Sequence, residues 1–310
     1  MTLPDRVTIV EVGPRDGLQN ESAMVPTDVK VAFIDRLAAT GLQVVEATSF
    51  VHPRWVPQLA DAAEVLAGIT PVDGVRYPVL VPNETGLNRA LDAGVSEVAV
   101  FGAASEAFTQ RNLNRTIDES LAMFAPVVRR ASEAGLRVRG YVSTVLGCPF
   151  QGEVRHADVA RVATALFDLG VAEVSLGDTI GVGTAGQVQD LLEALQPVTD
   201  LNRVAVHMHD TYGQGLANTL AALEAGVTIA DTSAGGLGGC PFAPGATGNL
   251  ATEDLVWALE RSGVTTGVDL SALVDTTAWM TDQIGRMPES LAARAILSKR
   301  DADLPDPFGY

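Results

Sequence analysis

The chain has 310 residues, and 47% of them are hydrophobic, which is enough for a large core in one or two domains. Its formal net charge of −17 at pH 7 argues against a nucleic-acid surface or an anionic membrane as partner. No apolar run approaches the roughly 18 residues that span a bilayer, and residues 1–6 do not resemble a targeting peptide, so we expect a cytoplasmic protein.

Strand and helix patterns alternate along most of the chain. The predicted strands are Val7–Val12, Val44–Thr48, Arg76–Val81, Val95–Phe101, Arg137–Thr144, Ala172–Leu176, Arg203–His207 and Thr228–Asp231. The predicted helices are Thr27–Thr40, Val56–Leu66, Glu84–Ala93, Ile117–Ala134, Ala157–Leu169, Ala185–Leu195, Gly215–Ala225 and Thr252–Arg261. Eight strand–helix units over about 250 residues predict an α/β protein with a closed (β/α)8 TIM barrel. An open doubly wound sheet is disfavoured because no G-x-G-x-x-G motif opens the first helix.

The alternation breaks beyond about residue 265. Val274–Ile284 has a helical pattern, and Asp301–Tyr310 is a proline-containing tail. We therefore predict a catalytic barrel domain over residues 1–265. Residues 266–310 are then a short helical extension packed on the barrel, as a lid or an oligomer contact.

Two histidines close the seventh predicted strand. His207 and His209 are two positions apart, so their side chains project to the same side of the strand. The alternative to a functional role is that both imidazoles are hydrogen-bonded in a polar core and serve only the structure. Polar residues also follow other predicted strands: Arg15, Asp16, Glu46, Asp178 and Asn249. TIM barrels collect reacting groups at the strands' carboxyl ends, so we expect all of these on one rim.

Two imidazoles, a carboxylate and an amide oxygen would form a mixed nitrogen–oxygen site for a divalent cation, with positions open for substrate oxygens. Mg²⁺ or Mn²⁺ fits that set better than a structural zinc site, which normally recruits thiolates. The run Gly235–Gly239 is a second feature of this rim, because four glycines in five residues let the backbone approach a ligand and let a loop move. The pattern favours Cys240, at the end of this run, over Cys148 as a reactive thiol.

Five motifs, in order along the chain, resemble those of the hydroxymethylglutaryl-CoA lyase family. They are Gly13–Glu21, Glu46–Val51, Leu176–Gly181, His207–Gln214 and Gly236–Pro241. The resemblance runs from about residue 6 to about residue 262. It implies a TIM barrel that cleaves 3-hydroxy-3-methylglutaryl-CoA to acetoacetate and acetyl-CoA, a reaction of leucine degradation and ketone body metabolism. One departure is Ser22, where many relatives carry lysine, which leaves the substrate contact at that position open.

The resemblance also implies roles for particular residues and partners. The implied metal ligands are Asp16, His207, His209 and Asn249. The implied catalytic and substrate-binding residues are Cys240, Arg15, Asp178, Glu46, Gln19, Asn112 and Thr179. Either Asp178 or Glu46 is the expected general base. The implied partner is a small-molecule acyl-CoA, with no membrane or nucleic acid, and the expected assembly is a homo-oligomer, dimer or higher. Ser105–Arg115 is the expected loop on the nucleotide side.

Other functions share parts of this pattern. A lyase for a longer homologue, such as an isohexenyl-substituted glutaryl-CoA, would need the same rim. A condensing acyltransferase of the isopropylmalate synthase type shares the barrel, the Arg-Asp pair and the His-x-His motif, but we expect no room for a regulatory domain after the barrel. A metal-dependent aldolase is a further option. A binding-only barrel would bind metal without turning over any acyl-CoA.

Overall fold

The structure is a computed structural model that describes residues 2–239 and 248–302. The strands in these ranges are β1 (Thr8–Glu11), β2 (Val44–Val45), β3 (Thr48–Ser49), β4 (Val79–Leu80), β5 (Glu97–Ala103), β6 (Arg137–Ser143), β7 (Glu173–Asp178), β8 (Val204–Met208) and β9 (Ile229–Thr232). The helices are α1 (Thr27–Ala39), α2 (Ala62–Gly68), α3 (Glu84–Asp92), α4 (Glu106–Leu113), α5 (Ile117–Glu133), α6 (His156–Asp168), α7 (Ala185–Leu195), α8 (Gly215–Glu224), α9 (Thr252–Arg261), α10 (Leu270–Gln283) and α11 (Leu291–Asp301). None of these helices combines the length and apolar character needed to span a bilayer.

The strands pair in parallel, in the order β2-β1-β9-β8-β7-β6-β5-β4-β3. The two ends of this order, β2 and β3, are halves of one predicted strand, interrupted at Glu46 and Ala47. Glu46 N donates to Glu11 O at 2.8 Å, whereas Ala47 N donates to Pro78 O at 3.0 Å. This interrupted strand therefore joins β1 to the chain leading into β4, and the sheet closes as the predicted TIM barrel.

The barrel strands are apolar along most of their length because helices cover the outside and side chains fill the inside. All of Val204–Met208 is buried, for example. Short turns return each helix to the next strand. Gly41 and Gly94 follow α1 and α3 with φ of 93° and 75°, the left-handed conformation that glycine adopts without steric cost.

Two local predictions were wrong. Ser105–Arg115, expected as a loop, contains helix α4. Ser105 caps this helix, since its Oγ accepts a hydrogen bond from Phe108 N at 3.1 Å, and the buried Phe108 gives its polar sequence an inner face. The helix predicted over Val56–Leu66 is instead a 3-10 turn at Pro57–Leu59 followed by α2.

The C-terminal part contains the predicted helix, α10, which begins four residues earlier than expected because Asp269 caps it. Helix α11 was not predicted; Asp254 fixes its start by accepting hydrogen bonds from Ser290 Oγ at 2.8 Å and Ala292 N at 2.7 Å. The Arg36 guanidinium of α1 lies 4.5 Å from the ring centroid of Trp279 on α10, so these two helices are in contact. The boundary at residue 265 stays a prediction, and residues 303–310 of the expected tail lie outside the described ranges.

Candidate active site

A tight turn after β1 carries the first site residues. Residues 13–17 form a single-turn π-helix in which Asp16 N and Gly17 N both donate to Val12 O, at 2.7 and 3.1 Å. Pro14 fits the start of this turn because proline has no backbone N–H, and an N–H at this position would have no acceptor within the turn. The turn brings Arg15 and Asp16 to the wall of one cavity. Single π-turns are frequent at functional sites.

The four predicted metal ligands lie together at the carboxyl end of the barrel. The Nε2 atoms of His207 and His209 are 3.3 Å apart, and His207 Nε2 lies 3.9 Å from Asp16 Oδ2. The backbone of Asn249 pairs with that of His209 in an isolated antiparallel β-bridge. The side-chain Nδ2 of Asn249 donates a hydrogen bond to Asp16 Oδ2 at 3.0 Å. Residues up to 233 positions apart in sequence thus meet at one point.

The donors in this cluster suit a divalent cation. One ligand atom each from Asp16, His207 and His209 lie within 4.8 Å of one another. Among the described residues, Asn249 Oδ1 is a buried acceptor without a hydrogen-bond partner. Buried acceptors without a donor are costly. A carboxylate, two imidazoles and an amide oxygen are a set that binds divalent cations, so the residues fit the implied metal.

The electrostatics of the cluster keep Asp16 and His209 in the forms that bind cations, whereas the pKa of His207 is raised, because desolvation, which lowers it, is outweighed by Asp231 and Asp16. Desolvation raises the pKa of Asp16, but the Arg15 guanidinium and the two imidazoles outweigh it and lower that pKa to about 2. Burial, together with His207, lowers the pKa of His209 to about 4. At neutral pH the site therefore offers an ionised carboxylate and a neutral imidazole.

Arg15 is fixed between two carboxylates. Its Nε donates to Glu46 Oε2 at 2.7 Å and its Nη1 to Asp16 Oδ1 at 2.5 Å, and its guanidinium carbon lies 5.3 Å from the Tyr141 ring centroid. Burial raises the pKa of Glu46, an effect that Arg15 partly offsets. Glu46 Oε1 is buried and has no hydrogen-bond partner among the described residues. The arginine thus has a set orientation, and Glu46 holds it from behind the cavity wall.

The cavity beside the cluster has a volume of about 490 Å³. It is lined by seven of the predicted site residues: Arg15, Asp16, Gln19, Asn112, Thr179, His207 and His209. Apolar side chains complete its wall, among them Val51, Leu80, Pro82 and Phe108. Gly239 also lines it, and Asn20 Nδ2 donates to Gly239 O at 2.9 Å. Cys240, the next residue in sequence, lies outside the described residues.

Asp178, the last residue of β7, binds the backbone of the loop that follows it. Its two carboxylate oxygens accept backbone N–H groups, from Val182 at 3.2 Å and Gly183 at 2.8 Å, which orders the loop after β7. Burial raises the pKa of Asp178, and these N–H groups partly offset that effect. Within the described part of the chain, neither Asp178 nor Glu46 is among the residues that line the cavity. Its predicted role as a base stays a prediction.

Three residues of the site were missed from the sequence. Tyr141 lines the cavity, and its hydroxyl accepts a hydrogen bond from Arg139 Nη1 at 2.8 Å. Arg139 also pairs with Asp231, whose Oδ2 lies 3.3 Å from His207 Nδ1. Asp231 ends a predicted strand, so the strand-end rule could have found it. For Arg139 and Tyr141, the available sequence signal was the presence of two polar side chains, two positions apart, in an otherwise apolar strand.

This fold and this cluster define a TIM-barrel protein with a candidate metal centre at the carboxyl ends of its strands. The HMGL-like family model matches residues 6–280. The mitochondrial hydroxymethylglutaryl-CoA lyase of Bos taurus is 56% identical over 95% of this chain and 90% of its own length. The chain belongs to the HMGL-like family, as its motifs predicted.

Solved structures agree with this membership. A hydroxymethylglutaryl-CoA lyase from Pseudomonas aeruginosa superposes with a TM-score of 0.95 at 52% identity, over 96% of this chain and 100% of its own. An HMG-CoA lyase from Acinetobacter baumannii, in complex with coenzyme A and 3-methylmalate, superposes with a TM-score of 0.91 at 38% identity, over 99% and 100% of the two chains.

Proposed function

We propose that this chain is a lyase that cleaves 3-hydroxy-3-methylglutaryl-CoA to acetoacetate and acetyl-CoA. The observation that carries the proposal is the convergence of Asp16, His207, His209 and Asn249 beside the cavity. The names of relatives more than 50% identical over nearly the whole chain support the same substrate. They do not favour a longer homologue or a condensing acyltransferase.

Asp16, His207, His209 and Asn249 would hold the cation, which we propose is Mg²⁺ or Mn²⁺. When bound, it supplies Lewis-acid polarisation of the substrate's hydroxyl and carbonyl oxygens. The buried, unpartnered Oδ1 of Asn249 supports this ligand set.

Arg15 would stabilise the negative charge that develops on the thioester oxygen when the carbon–carbon bond breaks. Glu46 and Asp16 hold its planar guanidinium in one orientation at the cavity wall. A donor placed before the reaction needs no reorganisation during it. The two carboxylates also keep the pKa of Arg15 above its ordinary value, although burial opposes them, so the charge is permanent.

Two proton transfers complete the reaction. Neither of the two predicted bases lines the cavity. Glu46 would remove the hydroxyl proton, because its Oε1 accepts no hydrogen bond from the described residues, whereas both oxygens of Asp178 accept backbone N–H groups. Asp178 would then order the loop after β7. Cys240 would protonate the departing two-carbon fragment as a thiol, and the position of Gly239 at the cavity supports this role.

Fewer observations support the proposed substrate contacts, cellular location and pathway. Gln19, Asn112 and Thr179 line the cavity and would bind the acyl-CoA, a class supported by the coenzyme A complex of the A. baumannii lyase. We also propose a cytoplasmic homo-oligomer that acts in leucine degradation and ketone body metabolism. The bovine relative is described as mitochondrial, so location stays a prediction for this chain.

The test is a panel of acyl-CoA substrates given to purified protein with Mg²⁺ or Mn²⁺, with identification of the products. We expect acetoacetate and acetyl-CoA from hydroxymethylglutaryl-CoA. In the same assay, Glu46→Gln should lose more kcat than Asp178→Asn. Turnover of only a longer homologue, or metal binding with no turnover, would overturn the proposal.

A further inference from the structure

A buried carboxylate stands directly behind one of the proposed ligands. His207 on β8 and Asp231 on β9 are register partners. Paired residues on neighbouring strands project to the same face of the sheet. Asp231 Oδ2 lies 3.3 Å from His207 Nδ1, and both residues are buried. This pair therefore makes one contact in the barrel interior, on the side of the imidazole away from the candidate cation site.

Asp231 is itself held by three hydrogen bonds. Arg139 Nη2 donates to its Oδ1 at 2.5 Å, and Arg139 Nη1 donates to its Oδ2 at 3.0 Å. Ser175 Oγ donates to Oδ2 at 2.7 Å. A bidentate arginine fixes both the position and the plane of a carboxylate. The acceptor that faces His207 therefore has little freedom to move.

An ionised carboxylate only accepts hydrogen bonds, so the ring nitrogen that faces it must carry the hydrogen. In a neutral imidazole the lone pair then lies on Nε2. His207 Nε2 faces His209 Nε2 at 3.3 Å and Asp16 Oδ2 at 3.9 Å. We propose that Asp231 is a positioning residue that holds His207 in the Nδ1–H tautomer and directs its Nε2 lone pair at the cation. This inference rests on the ligand set of the proposed function.

A simpler role for Asp231 is to neutralise Arg139 in the barrel interior. Both roles make the carboxylate important for stability, so loss of folding does not separate them. They differ in two observables, the tautomer of His207 and the affinity of the site for a cation. Histidines that bind metals commonly donate their second ring N–H to a carboxylate, and loss of that partner typically weakens metal affinity by about 10–100-fold.

The first measurement reads the tautomer directly. Long-range ¹H–¹⁵N NMR on metal-free protein with labelled histidine, at pH 8, distinguishes Nδ1–H from Nε2–H rings. The His207 signals are assigned by their loss in His207→Gln. We expect the Nδ1–H form in the unsubstituted protein, so this measurement does not depend on the folding of Asp231→Asn. An Nε2–H ring at His207 would overturn the proposal.

The second measurement is the dissociation constant for Mn²⁺, followed by electron paramagnetic resonance. Asp231→Asn should weaken Mn²⁺ binding by about 10–100-fold. The matched control is Glu97→Gln, which alters another buried carboxylate, paired with Arg76 at the amino end of β5, and should leave affinity unchanged. Equal affinities for the two variants would show that Asp231 only neutralises Arg139. Neither measurement uses substrate, so a protein with both expected results and no lyase turnover would contradict the proposed function alone.

Discussion

Both cysteines are flanked by glycine and proline in the sequence, and Cys148 lies in the described part of the chain. Cys148 is buried, and its Sγ lies 2.9 Å from Ser105 Oγ and 3.4 Å from Phe150 N, which donate to it. A thiol enclosed in this way packs as a small apolar side chain. Cys240 instead follows Gly239, which lines the cavity. The chemistry of the two thiols should therefore differ sharply.

Cys240→Ala should lower kcat by at least about 100-fold, the lower end of what general acid catalysis contributes. Its affinity for Mn²⁺ should stay unchanged, because sulfur is not in the proposed ligand set. Cys148→Ala, the matched control, should keep kcat and lower the melting temperature slightly. His209→Ala should lose both turnover and Mn²⁺ binding. Steady-state kinetics and Mn²⁺ titration measure these effects, and near-normal turnover by Cys240→Ala would remove the thiol from the mechanism.

The sequence was most informative for residues that end apolar strands. Asp16, His207 and His209 could be placed on one rim because each polar side chain follows a buried strand and parallel strands end at the same edge. Arg139 and Tyr141 could not be placed in this way. Their role depends on which strands lie next to β6, and on a partner, Asp231, that is 92 positions from Arg139. The sequence shows two polar side chains in an apolar strand, but their partners are determined by how the barrel closes.

At the scale of elements, a buried acid connects the loop after β9 to two helices. Glu253, in the first turn of α9, accepts Gly235 N with both of its oxygens at 3.0 Å, and it also accepts a hydrogen bond from Thr277 on α10. Burial raises its pKa to about 8, although the Thr277 hydroxyl partly offsets the effect. This carboxyl group is thus protonated in the folded state at neutral pH and ionised in the unfolded chain.

Glu253→Gln should therefore change how stability depends on pH. An acid whose pKa is raised in the folded state binds more protons there than in the unfolded chain. Its contribution to the free energy of unfolding is therefore complete below the unfolded pKa of 4.5 and is lost as pH rises through about 8. The glutamine variant lacks this loss. Its melting temperature, relative to the unsubstituted protein, should rise steadily between pH 5 and pH 8.5 in differential scanning calorimetry.

The matched control is Glu64→Gln, which changes an exposed acid on α2. Its melting temperature should follow that of the unsubstituted protein at every pH. Parallel curves for Glu253→Gln and the unsubstituted protein would mean that Glu253 is ionised in the folded state.

Elements were predictable where their apolar periodicity is strong, as in α5 and β8, and less so where tertiary contacts decide. Helix α4 has a polar sequence, and its inner face becomes evident only when Phe108 is seen to be buried. Helix α11 begins where Asp254, 36 positions before Ser290, accepts its first hydrogen bonds. The break at Glu46 in the second barrel strand likewise follows from pairing with β1 on one half and β4 on the other.

At the scale of the whole molecule, the proposed ligands tie together distant parts of the chain. Asp16 follows the first barrel strand, His207 and His209 end β8, and Asn249 lies after β9. The unfolded chain holds these groups far apart, so a cation would bind the folded state almost alone. Such binding stabilises the fold by mass action, by about 2.7 kcal/mol at a cation concentration 100 times the dissociation constant.

Saturating Mn²⁺ should accordingly raise the melting temperature of the metal-free protein, by roughly 5 °C if each kcal/mol shifts it by about 2 °C. A chelator should reverse the increase. His209→Ala should show no increase, whereas Glu97→Gln, at the opposite end of the barrel, should show all of it. Because no substrate is involved, differential scanning calorimetry on these three proteins tests the ligand set separately from the reaction. An equal increase in His209→Ala would place the bound ion elsewhere and remove the metal centre from this rim.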